Sequence, residues 1–150
     1  MPQSFASLYC HIVFGVKNRA RQLTDELRHR MHPFLGGILR SLGGKLMSAG
    51  GVEDHVHLLV SLDRQRALSD VVREIKAGSS RWIHDSFPKL RDFAWQDGFG
   101  AFSVSLSAVP EVTRYIERQR EHHKHKTFRE EFVAFLVKHG IPFDERYLIP

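Results

Sequence analysis

Two long segments with a helical apolar period, each framed by short runs of β-branched and aromatic residues, leave this chain few folds to choose from. The first run, residues 8–16 (LYCHIVFGV), is almost wholly apolar and passes into the basic, turn-like KNRAR, so it predicts a central strand entering a loop. Thr24 before Asp25 and Glu26 is a helix start, and Leu27, Met31, Phe34, Leu35, Ile38 and Leu42 then recur at helical spacing. Pro33 lies inside that segment and predicts a kink or a local loosening.

After Gly43 and Gly44 come two strand-like runs, 45–52 and 55–62, parted by Glu53 and Asp54, which together predict a hairpin. A second long helix follows, with Leu68, Val71, Val72, Ile75, Ser79, Trp82 and Ile83 on one face and Ser69 placed to cap its start. Residues 93–107 (FAWQDGFGAFSVSLS) predict a glycine-containing loop entering a fourth strand. Pro110 and Glu111 open a third helix running to about Lys126, and Thr127 with Glu130 forms a capping-box pattern for a fourth. The fourth buries Phe128, Phe132, Phe135 and Leu136 and stops at Gly140, just before Pro142. The order β-α-β-β-α-β defines an α+β, ferredoxin-like antiparallel sheet with helices on one face, extended by C-terminal helices. Such a fold hosts many chemistries and selects none.

With 150 residues, 42% of them hydrophobic and eleven Phe, the chain predicts a single domain over 1–150. No apolar run approaches the roughly eighteen residues of a membrane span, and MPQSFASLYC lacks the layout of a secretory signal. A cytoplasmic protein with no membrane partner is the expectation. Cys10 is the only cysteine, so no internal disulfide forms, and its apolar surroundings mark it as a core residue rather than a reactive thiol. Lys and Arg outnumber Asp and Glu by 22 to 17 and the pI is about 9.7, a field that favours polyanions and is equally common on inert surfaces.

In DHVHLLV (54–60), His55 and His57 stand two apart on a strand, so both imidazoles project from one face. They serve either as a paired core or surface set or as half of a metal site. On the third helix, Tyr115 and Gln119 are four apart and share a face, with Tyr115 at the border of the stripe formed by Val109, Val112, Thr113 and Ile116. Alone, this tyrosine reads equally as an aromatic flanking the core with its hydroxyl in water.

Three segments together carry a resemblance: DHVHLLV at 54–60, WQDGFGAFSVS at 95–105 and YIERQREHH at 115–123. In order and spacing the chain resembles the single-tyrosine HUH transposases of small insertion sequences, over nearly its whole length. The resemblance implies that His55, His57 and Gln119 are metal ligands and that Tyr115 is the nucleophile. A divalent cation would neutralise the phosphodiester, and the mixed N/O set without cysteine suits Mg2+ or Mn2+ rather than a closed zinc site. Attack by Tyr115 would leave a 5′-phosphotyrosine and a free 3′-hydroxyl, whose reversal rejoins strands without ATP. Glu111, one turn before Tyr115, is a candidate base, though a glutamate at a helix start also stabilises the dipole.

The implied substrate is single-stranded DNA with hairpins at element ends, and the implied assembly is a homodimer in which one subunit's tyrosine helix completes the other's site. Lys17, Arg19 and Arg21, Arg73, Lys76 and Arg81, and Arg114, Arg118, Arg120, Lys124 and Lys126 are then available for phosphates; Lys17, Arg19, Arg118 and Lys124 are the foremost. Trp95, Phe99 and Phe102 are either base-stacking platforms or packing at the strand entrance. His122, His123 and His125 read as a surface cluster near DNA. Three other readings share these residues: a domesticated relative cutting genomic repeat hairpins, a non-catalytic nucleic-acid-binding module on the same sheet, and an inactive protein whose fold serves only dimerisation.

Overall fold

The computed structural model describes residues 3–122 and 126–148, with the side chains of residues 121, 122 and 147 set aside. Strand β1 (Tyr9–Gly15) lies at the centre, flanked antiparallel by β3 (His55–Ser61) and β4 (Gly100–Val104), and β2 (Lys45–Val52) closes the far edge on β3. The sheet order β2-β3-β1-β4 is that of the ferredoxin-like arrangement expected from the element order. The turn at Glu53 and Asp54 joins β2 to β3 with Val52 paired to His55.

Alternation along β1 and β3 divides the sheet into two faces. Cys10, Ile12, Phe14, Val56, Leu58 and Val60 point to one side, where helices α1 (Asp25–Ser41) and α2 (Leu68–Ser86) supply Leu27, Met31, Leu35, Val72, Ile75 and Ile83 to the main core. The Thr24 side chain caps α1 as expected, accepting from the Leu27 amide at 3.2 Å. α1 continues as one helix through Pro33, with Met31 and Leu35 buried on either side of it. One local expectation needs correcting. Ser69 does not cap α2: the helix begins at Leu68, so the cap position falls on Ala67 and makes no side-chain bond.

The opposite face carries His11, Val13, Gly15, His55, His57 and Leu59, matched in register across β1 and β3. The C-terminal helices cover it. α5 (Phe128–Lys138) brings Phe128, Phe132 and Leu136 onto Val13 and Phe102 as a second core, and Thr127 with Glu130 closes the expected capping box. α3 (Val109–Glu117) crosses β2 and β3, with Ile116 fully buried. Gly50, opposite His57 in β2, permits this approach: a Cβ there would collide with the Ile116 carbonyl oxygen.

The long third helix expected to reach Lys126 is instead broken. Arg118 leaves helical geometry at φ −103°, ψ 22°, and a separate turn, α4 (Gln119–His122), follows. That break turns Gln119 inward, where it is 1% exposed. Among the described residues no helix is long and apolar enough to cross a membrane.

Candidate functional site

The two histidines of β3 are the floor of the site, and neither imidazole is accessible to solvent. His55 Nδ1 lies 2.7 Å from Asp54 Oδ1, and its ring stacks on Phe128 at 4.2 Å and 10°. An ionised carboxylate only accepts, so His55 Nδ1 carries a hydrogen and Nε2 points into the site. Burial works against a charged His55, but hydrogen bonds to Asp54 and Glu131 and the charges of both outweigh it, so its pKa is raised.

Three further side chains converge on that point. Gln119 Oε1 is 3.3 Å from His55 Nε2, and Glu131 Oε1, from α5, is 2.9 Å from His57 Nε2 and 3.5 Å from His55 Nε2. The other oxygen, Glu131 Oε2, accepts a short hydrogen bond from the Tyr115 hydroxyl. Burial first, and then the Glu131 charge, push the Tyr115 pKa above its ordinary value. His57 Nδ1 meets His11 Nε2 at 2.8 Å. Burial and the neighbouring His57 lower the His11 pKa to about 3, so His11 is neutral at neutral pH.

His55, His57 and Glu131 thus form a cluster able to hold a divalent ion, with ligand atoms all within 4.8 Å of one another. The donor set fits one. Cis ligands held about 2.1 Å from an octahedral or tetrahedral ion are about 3.0–3.4 Å apart, close to the separations between Glu131 Oε1, Gln119 Oε1 and the imidazole nitrogens. Two buried, electron-rich oxygens facing two Nε2 atoms also call for a cation, whether a proton or a metal ion.

Of the residues singled out in the sequence, His55, His57, Tyr115 and Gln119 are brought together, although Tyr115 and Gln119 stand on separate helices. The Tyr115 ring centroid is 5.8 Å from that of His57, so the tyrosine helix lies over its own chain's histidines. The Tyr115 hydroxyl bonds Glu131 rather than Glu111; Glu111 lines the adjoining cleft. Lys17 and Arg19 occupy the helical turn after β1, and Arg118 is exposed at the break between α3 and α4. Lys124, His123 and His125, and the side chain of His122, lie outside the described residues. Trp95 and Phe102 are buried and Phe99 packs against the core, so these aromatics are packing and not exposed platforms.

Three site residues escaped the sequence reading. His11 was hidden in an apolar run, Asp54 read as a turn residue, and Glu131 was passed over. Glu131 had a signal: it falls three residues after Phe128, on the apolar stripe of α5, where a carboxylate needs a partner.

A cleft of about 420 Å³ opens from Tyr115 and Glu131 between β4, α3 and α5, lined by Phe102, Ser103, Ser105, Phe135 and Lys138 among others. A second, of about 490 Å³, lies beside Asp54 and is bordered by Arg19, Arg21, Arg120 and Lys126. There Arg21 pairs with Glu53 at 3.1 Å, and Arg120 with Asp25 at 2.7 Å and Glu53 at 3.2 Å.

The model of the family described as IS200-like transposases matches residues 4–119, and the chain belongs to that family. It is 28% identical over 116 residues to the ISDra2 transposase TnpA of Deinococcus radiodurans, covering 74% of this chain and 83% of that protein. It is 27% identical over 124 residues to the transposase for insertion sequence element IS200 of Salmonella typhimurium, covering 76% and 78%. A Deinococcus radiodurans crystal structure described as that of a transposase superposes with a TM-score of 0.65 at 26% identity, over 79% of this chain and 98% of that one. The structure of a REP-associated tyrosine transposase bound to a REP hairpin has the same fold, with a TM-score of 0.60 at 14% identity over 95% and 87%. The family match includes Tyr115 and Gln119 and stops before Glu131.

Proposed function

We propose that this transposase is a metal-dependent endonuclease and strand-transferase for single-stranded DNA, with Tyr115 as nucleophile and His55, His57, Gln119 and Glu131 around a Mg2+ or Mn2+ ion. The observation that carries this reading is the Glu131 carboxylate, which links the Tyr115 hydroxyl to His57. One buried group thereby places the nucleophile beside the cluster suited to a cation. Bound there, a divalent cation supplies charge neutralisation on the non-bridging oxygens of the scissile phosphate.

The chain's own residues do the rest. Tyr115 Oη attacks phosphorus, the P–O3′ bond breaks, and the DNA is held as a 5′-phosphotyrosine while the 3′-oxygen leaves as a hydroxyl. Glu131 Oε2 already accepts the phenolic hydrogen and stands where that proton departs. Asp54 and His11 hold the two imidazoles from behind. The cleft that opens from Tyr115 gives an unpaired strand a way in. Lys17, Arg19, Arg118 and Lys124 contribute phosphate contacts, and hairpins at the element ends supply recognition. The REP-bound neighbour supports a hairpin partner by fold only.

The deciding experiment incubates the protein with labelled single strands carrying the hairpins that flank its gene, with Mn2+ or Mg2+, and looks for a covalent adduct on a denaturing gel. An adduct that vanishes with chelator and in Tyr115→Phe is the expected result; binding without any adduct favours a non-catalytic binding module. The homodimer and the cytoplasmic location implied by the resemblance are carried as part of the same proposal. Light scattering at twice the 17.3 kDa chain mass, and fractionation of cells, test them.

A further inference from the structure

The two site imidazoles are backed by different kinds of group. His55 Nδ1 faces Asp54 Oδ1 at 2.7 Å, and a carboxylate only accepts, so that nitrogen keeps its hydrogen in every state. His57 Nδ1 faces His11 Nε2 at 2.8 Å, and a neutral imidazole nitrogen either donates or accepts according to its tautomer. Both rings are buried, His11 at 2% exposure and His57 at 0%.

With Glu131 Oε1 at 2.9 Å and the same carboxylate accepting from Tyr115, His57 Nε2 must be an N–H donor. A neutral His57 then has a bare Nδ1, and His11 Nε2–H fills it. A metal ligand needs the reverse: a bare Nε2, hence a hydrogen on Nδ1 and an acceptor to receive it. His11 provides that acceptor by moving its own hydrogen to Nδ1. Each ring keeps one proton throughout, so the exchange is balanced and requires no outside charge. His11 also borders the cleft that opens from Tyr115, which gives its ring proton a path of exchange with water.

We propose that His11 is a positioning residue whose two-way hydrogen bond lets His57 change tautomer between a Glu131-bound and a metal-ligating state, while Asp54 keeps the Nδ1 hydrogen of His55 in place in both. The sheet fixes the arrangement: Val13 pairs with His57, so His11 lies two residues along β1 on the same face, its ring 5.0 Å from that of His57. The inference rests on the metal-binding part of the reading above.

Its test is made without DNA. Nitrogen-15 NMR of the imidazoles, with chelator and then with saturating Mg2+, is expected to show the His57 hydrogen move from Nε2 to Nδ1, while His55 Nδ1 stays protonated in both. In calorimetric titrations with Mn2+, His11→Leu is expected to bind about 10–100-fold more weakly, the usual effect of losing a partner behind a metal ligand. His11→Gln, whose amide also donates or accepts, recovers most of that loss. A His57 that is Nδ1-protonated in both states, or a His11→Leu that binds Mn2+ like the wild type, overturns the inference and leaves the metal reading standing. A wild type that takes up neither ion overturns both. Should His11→Leu not fold, the wild-type spectra and His11→Gln decide.

Discussion

Glu131 accepts the Tyr115 hydroxyl hydrogen through Oε2 while its Oε1 faces the site histidines, so a residue of α5 sets the charge beside the Tyr115 phenol. In the absence of metal that charge opposes ionisation, since a carboxylate beside a phenol raises its pKa. Replacing it by the neutral isostere, Glu131→Gln, is expected to lower the pH at which Tyr115 ionises. Ultraviolet difference titration against Tyr115→Phe isolates this tyrosine among the three in the chain. An unchanged titration would show that burial alone sets the shift.

The buried imidazoles predict how stability follows pH in chelated protein. His11 has a folded pKa of about 3 against an ordinary 6.5, so below pH 6.5 the unfolded chain binds the proton that the folded one refuses. Stability is full above 6.5 and falls with acid, by at most about 1.4 kcal/mol per pH unit from this residue. The groups acting on His11 are His57, Glu131, His139 and Lys138; Glu131 alone works in the opposite direction. His55 has a raised pKa, so its contribution is full below 6.5 and is lost as pH rises through its folded value. Melting temperature is therefore expected to peak near pH 6.5, and His11→Gln to flatten the acid limb. A wild-type acid limb no steeper than that of His11→Gln would count against a neutral buried His11.

The strands, the hairpin at Glu53 and Asp54, and the same-face placement of His55 and His57 follow from period-two patterning, which depends only on local geometry. The break at Arg118 has no local signature: arginine is a good helix former, and neither Gly nor Pro lies between Glu111 and Lys126. What ends α3 is tertiary, the inward turn of Gln119 toward His55. His11 and Glu131 were likewise obscure because each acquires its meaning from a partner 46 or 74 residues away.

Metal affinity should separate residues that face the candidate cation site from those that support them from behind. His55→Ala and His57→Ala are each expected to abolish measurable Mn2+ binding, since each removes a ligand from a cluster of few donors. Asp54→Asn leaves the ligands in place and loosens the hydrogen bond behind His55, for a loss of about 10–100-fold. Gln119→Ala tests the weakest assignment: at 3.3 Å from His55 Nε2 it is placed to ligate, and its loss should cost affinity without melting the fold. Titration calorimetry reads all four, and a Gln119→Ala that binds like the wild type removes the amide from the ligand set.

The seat of the tyrosine helix is open to a test that touches no site residue. At Gly50 an added methyl meets the Ile116 carbonyl oxygen of α3, with a second close contact to the Ile116 side chain. Backbone cannot yield as a flexible side chain can, so Gly50→Ala must push α3 off β2, at about 1–3 kcal/mol for overpacking. For a chain of this size that lowers the melting temperature by about 2–4 °C for each kcal/mol. Gly37 offers the contrast: its added methyl meets only Arg40 Nη2 at 3.8 Å, and alanine inside α1 should stabilise by about 0.5–1 kcal/mol. Because Tyr115 precedes Ile116 directly, displacing α3 moves Tyr115 away from Glu131 and His57. Gly50→Ala is therefore expected to lose adduct formation at temperatures where it is still folded, whereas Gly37→Ala keeps it; equal adduct yields in the two variants would mean that α3 does not hold Tyr115 in place.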